Sequence, residues 1–131
     1  MFPRSLPKRL PDLKLHVPLS DGSRGLIGSA ELRRLGASSY LINTSQGPIV
    51  DQEALVEALH AGTIAGAGLD VFDVEPLPRD HPLLFTPRTV LSPHTGFVSQ
   101  QSLRVAYTGA VENISAWMAG APIRVLNTAD R

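Results

Sequence analysis

The sequence predicts an α/β protein built on a parallel sheet of about four strands, with a long helix toward its C-terminal end. Three observations carry this. Short apolar runs alternate with helix-patterned segments in the order strand, helix, strand, helix, strand, loop, strand, helix. Right-handed crossovers convert that alternation into a parallel sheet. The second run, "SSYLINTS", is apolar through its middle rather than alternating, as expected of a strand covered on both faces. Finally, 131 residues with 43% apolar and 18% charged side chains suit one globular domain with a modest core.

Each element has a local cause. The first 12 residues, with prolines at positions 3, 7 and 11, read as irregular. Leu13–Leu19 reads as a strand that Pro18 ends, because proline cannot donate to a ladder. "SDGSRGLIG" is turn chemistry, after which Ser29 is the expected N-cap of a short helix, "AELRRL", with Gly36 past its end. "SSYLINTS" follows as the second strand. Asp51 is placed to cap "QEALVEALHA", whose Leu55, Ala58 and Leu59 share a face and which Gly62 closes. "TIAGAGLDVF" is a third strand with small residues, where a helix or ligand can approach the backbone. Residues 73–88 hold four of the eleven prolines and read as a long ordered loop. "TVLSPH" is a fourth short strand. From Ser99 a helix is expected to run to about Ala119, with Leu103, Tyr107, Ala110, Ile114 and Trp117 on one stripe, stopped by Gly120 and Pro122. One domain over residues 13–127 and a tail at 128–131 are expected. There is no internal repeat.

Composition excludes several function classes. Twelve basic residues balance twelve acidic ones, so no net field draws the chain to nucleic acid or anionic lipid. Without cysteine there is no disulfide, thiolate zinc site or cysteine nucleophile. The longest apolar runs fall far short of the ~18 residues that a membrane span needs. The proline-broken start has no apolar stretch of signal-peptide type, so a cytoplasmic location is expected. No two histidines have ligand spacing, and no metal site is expected.

In parallel α/β sheets ligands bind beyond the carboxyl ends of the strands. Those ends carry His16-Val17-Pro18, Thr44-Ser45-Gln46-Gly47, Asp70-Val71-Phe72 and Pro93-His94-Thr95-Gly96. His94 lies just past a strand and before a glycine. Its ordinary pKa near ~6.5 suits proton transfer, and Glu75 can fold back onto one imidazole nitrogen, fix the tautomer and raise that pKa. On the residues alone a second reading, a strand-terminal histidine bonded to backbone with Glu75 on the surface, is open as well and is the more ordinary of the two. Asp70 reads either as an acceptor for a ligand amide or as a turn cap. His16, His60 and His81 read as structural or exposed. "GAGLDV" is not a dinucleotide fingerprint: its glycines lie inside a strand, and Val71 stands where a third glycine belongs.

The blocks "LHVPLSDGSRGLIG", "LINTSQGPIVDQEALVEALHAGTIAGAGLDVFDVEPLPRDHPLL" and "TVLSPHTGF", with the tail through "VLN", resemble the D-isomer-specific 2-hydroxyacid dehydrogenases. The resemblance runs from about residue 13 to 127. It implies half of a Rossmann-like, doubly wound sheet, and an NAD- or NADP-dependent hydride transfer between a small 2-oxo acid and its D-2-hydroxy acid. It places His94 as the general acid/base and Glu75 as the carboxylate that orients it. It places Asp70 on the nicotinamide carboxamide, and Pro18, Thr44, Ser45 and Gly96 along the cofactor.

Two departures from the family pattern stand out. Gln46 occupies the position of an arginine that binds the substrate carboxylate and polarises its carbonyl. A guanidinium offers a fixed charge and a planar fork, whereas an amide offers two neutral donors, so polarisation is expected to weaken. The family's substrate domain and its fingerprint-bearing half precede the segment that this sequence matches. The chain is therefore expected to be a truncated form, weakly active or inactive alone, that binds the cofactor weakly. A homodimer and a non-catalytic pairing with a full-length relative are the partners such a form suggests, and an incomplete gene model is the third alternative.

Overall fold

A computed structural model describes residues 12–126. They divide into two compact units, one ending at Gly96 and one beginning at Phe97. The tail and the expected irregular segment up to residue 11 lie outside the described residues, and Asp12, expected in that segment, instead opens the first strand, where it pairs with Tyr40.

The first unit is a four-stranded sheet in the order β1-β2-β3-β4, formed by β1 (Asp12–Leu15), β2 (Tyr40–Asn43), β3 (Gly66–Leu69) and β4 (Thr89–Leu91). All three pairings are parallel, as the alternation predicted. The strands are shorter than the apolar runs suggest. At β1 the reason is local: the Ser45 hydroxyl donates to the Leu15 carbonyl at 2.8 Å, ending the ladder before Pro18 is reached. Beyond β3, Ala65 and Asp70 still donate to Ser39 and Asn43 on the β2 segment, so pairing outlasts the regular strand by a residue at each end.

Helix α1 (Ser29–Leu35) and helix α2 (Gln52–Ala61) join the sheet through one apolar cluster that includes Leu15, Leu32, Leu41, Leu55, Leu59 and Leu69. The N-cap of α1 is Gly28 rather than Ser29, because Glu31 reaches back and accepts the Gly28 N–H at 3.2 Å. That bond serves an orphan donor without a hydroxyl at the cap. Asp51 caps α2 as expected, accepting from the Ala54 N–H at 3.0 Å, and Gly62 ends it in the left-handed region. Short 3₁₀ turns at Gly47–Ile49 and Pro82–Phe85 interrupt stretches that read as plain loop. Gly47 has a strict steric cause, since a Cβ there would sit inside the Phe72–Asp73 peptide. The small residues of β3 receive side chains from the neighbouring strand: Tyr40 lies against Gly66 and Ile42 against Gly68.

The second unit is helix α3 (Gln100–Met118) with its C-terminal extension. Ser99 caps it, accepting the Ser102 N–H at 3.1 Å, and Gly120 follows its end with φ +72°. Arg124 turns back to Glu112 and Asn113, at 2.6 and 2.9 Å. The stripe from Leu103 to Trp117 is exposed throughout, and no residue of α3 is buried.

Candidate functional site at the carboxyl ends of the strands

At the end of β2 the polar turn is held from below by Asn43, which is 1% exposed. Its Nδ2 donates to the Gln46 carbonyl at 2.9 Å, and its Oδ1 accepts the Ser45 N–H at 3.0 Å. Thr44 and Gln46 are left exposed, with Gln46 in extended backbone. At the end of β1, Pro18 is exposed, and its carbonyl accepts the Ser23 hydroxyl at 2.7 Å.

At the end of β3, Asp70 is 5% exposed and its carboxylate points into the loop that follows β4. Oδ1 accepts the Ser92 hydroxyl at 2.5 Å and the Thr95 N–H at 3.0 Å. Oδ2 accepts the Gly96 N–H at 2.8 Å. Burial pushes the Asp70 pKa up. The Ser92 hydroxyl, the Gly96 and Thr95 amides and the nearby His94 outweigh burial, and the net shift is downward.

Within that loop His94 takes a left-handed backbone, φ +54°, and its Nδ1 lies 2.6 Å from Glu75 Oε2. Glu75 is itself fixed, because Oε1 accepts the Phe72 N–H at 2.9 Å. The bond to Glu75 raises the His94 pKa above the ordinary histidine value despite some desolvation, and the charges of Glu75 and Asp70 add to the effect. Glu75 is lowered in return, first by the imidazole and then by the Phe72 amide. The pair sits in a cleft of about 330 Å³ walled by Phe72, Pro76, Leu77 and Pro93. A carboxylate on Nδ1 directs the neutral tautomer's proton to that nitrogen and gives Nε2 the acid/base role.

The structure thus brings together His94, Glu75, Asp70 and Gly96. His60 is exposed, and His81 accepts the Leu83 N–H at 3.2 Å as the cap of a 3₁₀ turn. Sequence reasoning passed over Asn43 and Ser92. An asparagine ahead of two hydroxyl residues is a signal for a side-chain-to-backbone turn and would have found the first. No cluster of three or more histidine, cysteine or acidic side chains suited to a metal occurs among the described residues.

Does this edge suit a dinucleotide? At the nicotinamide end the donor count is compatible: a carboxylate has about four acceptor sites, and the protein uses three on Asp70. The phosphate end does not fit. Helix α1 is only seven residues long, and the Glu31 carboxylate already occupies its N-terminus.

A four-stranded parallel α/β sheet with a histidine–carboxylate pair beyond its last strand defines the class: a sheet of the nucleotide-binding type with that pair at its carboxyl edge. Comparison with known proteins makes the class specific. Residues 12–96 match the family described as D-isomer specific 2-hydroxyacid dehydrogenase, NAD binding domain, and the chain belongs to it. It is 44% identical over 108 residues to a glyoxylate reductase of Korarchaeum cryptofilum, covering 82% of this chain and 32% of that protein. The NAD-complexed D-isomer specific 2-hydroxyacid dehydrogenase of Lactobacillus delbrueckii ssp. bulgaricus superposes with TM-score 0.76 at 31% identity, over 89% of this chain and 40% of that one. A Xanthobacter autotrophicus Py2 member in complex with NADPH and MES gives TM-score 0.69 at 38% identity, over 87% and 46%. The chain spans about a third of the length of the glyoxylate reductase it matches.

Proposed function

We propose that this chain carries the nicotinamide and proton-transfer side of a D-2-hydroxyacid dehydrogenase acting on a small 2-oxo acid of the glyoxylate or hydroxypyruvate kind. The observation that supports this most directly is the 2.6 Å contact between His94 Nδ1 and Glu75 beyond β4. A bound NAD or NADP would supply the hydride. Asp70 would hold its carboxamide, with Pro18, Thr44, Ser45 and Gly96 along its nicotinamide half. His94 gives its Nε2 proton to the oxygen of the substrate carbonyl, and Glu75 keeps the imidazolium oriented and charged. Gln46 stands where the family has arginine. It offers the substrate carboxylate neutral donors only, so the developing charge on the carbonyl oxygen is poorly met.

The test joins the preceding part of the Korarchaeum glyoxylate reductase ahead of Leu13 and follows NADH and NADPH oxidation with glyoxylate and hydroxypyruvate. The fusion with Gln46 should turn over slowly. Gln46→Arg should raise turnover by roughly 10²–10³, the cost of one missing oxyanion donor in other enzymes. His94→Ala should abolish that gain. If the Gln46→Arg fusion consumed neither cofactor with either acid, the dehydrogenase reading would fail. Equal rates in the fusions with and without the Gln46→Arg change would instead make Gln46 a working substrate-binding residue.

A second reading, a non-catalytic subunit that pairs with a longer relative, draws on the open face of the sheet, where Tyr40 and Val90 are exposed. Uncovered apolar surface of this kind favours association. The mass of the native protein decides it.

A further inference from the structure

From the loop that follows β4 we infer that Ser92 is a positioning residue for His94: its hydroxyl, donated to Asp70, locks the turn that aims the imidazole at Glu75. This rests on the proton-transfer reading of His94 for its meaning in the reaction, but its geometry stands apart from that reading.

The backbone of the loop is the starting point. A non-glycine residue with φ +54° occupies a sparsely populated region, and such a residue persists only where its surroundings over-determine it. The surroundings here are countable. Ser92 is fixed at its own amide, which donates to Leu69 on β3 at 2.9 Å, and its carbonyl accepts the His94 N–H at 3.0 Å. The next two amides, Thr95 and Gly96, both turn inward to Asp70. Successive N–H groups around a left-handed residue form a concave nest for an anion, and Asp70 is the anion. Gly96 is required for the closure, since a Cβ there would stand 2.8 Å from Asp70 Oδ2.

What keeps the Asp70 carboxylate seated is the third donor. It is 5% exposed, and a buried carboxylate rotates or protonates unless its oxygens are bonded. Ser92 Oγ, at 2.5 Å from Oδ1, is the one side-chain hydroxyl that donates to Asp70 among the described residues, and it comes from the same segment that the carboxylate closes. Ser92 therefore ties β3, β4 and the His94 turn at one point. Without the hydroxyl, Asp70 Oδ1 keeps only the Thr95 amide, the nest loosens, and His94 gains freedom to leave its left-handed conformation and Glu75 with it.

The experiment uses the 131-residue chain with ¹³C- and ¹⁵N-labelled histidine, and follows the His94 imidazole by NMR across pH. The groups that set its titration are Glu75 and Asp70. Ser92→Ala should lower the apparent His94 pKa by roughly half a unit, a shift in proportion to the loss of one hydrogen bond in a network. The same change should also erase the tautomer bias toward protonated Nδ1 in the neutral ring. Ser92→Thr, which keeps the hydroxyl, should restore both. A folded Ser92→Ala chain with unchanged His94 pKa and ¹⁵N shifts would overturn the inference, as would a Ser92→Thr chain that behaves like Ser92→Ala. If Ser92→Ala does not fold, Ser92→Cys takes its place with a weaker donor in nearly the same volume. A partial shift in Ser92→Cys supports the inference and an unshifted His94 overturns it. Turnover in the fusion is a separate matter: a His94 that moves as expected in a chain whose fusion never reduces a 2-oxo acid would sink the dehydrogenase reading and leave the role of Ser92 standing.

Discussion

The two faces of the sheet differ more than the sequence of its strands suggests. On one face Leu15, Leu41 and Leu69 are buried in the cluster that also holds Leu32, Leu55 and Leu59. On the other lie the registered positions Lys14, Ile42, Gly68 and Val90, with Tyr40 against Gly66 and Ile42 against Gly68. Val90 is 75% exposed and Tyr40 is 51% exposed. Parallel sheets are ordinarily covered on both sides. An apolar run therefore reports only a strand's preference for burial. Which face is covered depends on where the crossovers run, and both β1–β2 and β2–β3 crossovers put their helices on the same side.

The largest effect should come from the covered face. Leu41→Ala should cost about 3–5 kcal/mol of unfolding free energy, the range for a fully buried leucine, whereas Val90→Thr should change it by less than about 0.5 kcal/mol. Urea denaturation of both variants measures this. Equal losses would mean that the open face is covered in solution and would break the contrast.

A middle-sized effect is expected at a glycine that belongs to neither face. Gly47→Ala forces a methyl group into the Phe72–Asp73 peptide and should destabilise by about 1–3 kcal/mol, as overpacking does. Gly109→Ala, where a Cβ on α3 meets nothing, should stabilise its helix by about 0.5–1 kcal/mol. Thermal melts followed by circular dichroism should show the two moving in opposite directions.

The smallest effect should come from the edge, where the His94–Glu75 pair is partly open to water and its contribution is screened. Its sign changes with pH in a defined way. The His94 pKa is raised on folding, so its contribution is complete below the unfolded histidine value and disappears as pH rises through the raised one. The Glu75 pKa is lowered, so its contribution is complete above the unfolded glutamate value and disappears as pH falls through the lowered one. The stability difference between wild type and Glu75→Gln should therefore be greatest in the acidic window between the two ordinary values and shrink on either side. A flat difference across that window and well beyond it would show that the pair does not couple to folding.

Element order, the Asp51 and Ser99 caps and the terminal glycines were legible because each depends on neighbours within a few residues. Ser29 was not the cap, because Glu31 supplied a bond from inside the helix that made a hydroxyl unnecessary. The α3 stripe was legible as a pattern, but a pattern does not say that anything lies against it. At the site, the residues alone left the meeting of His94 and Glu75 as one of two readings, and the family resemblance pointed to it; the two side chains lie 2.6 Å apart. Asn43 was passed over although its partners, Ser45 and Gln46, are local, whereas Gly47 and Ser92 meet Phe72 and Asp70 on distant segments, which no short window of sequence displays. Asp70 was expected to face a ligand or a turn. Its three protein donors show that it serves the turn.

An open sheet also has rims. Among the described residues β1 and β4 each pair on one side only. The rim at β1 is flanked by Asp12 and Lys14, charges that discourage another strand from settling there. The rim at β4 reads Thr-Val-Leu, without charge or proline, and its Val90 is exposed. Polymer growth, if the protein is concentrated or partly unfolded, would start from this second rim, where each added chain presents the same unguarded backbone to the next.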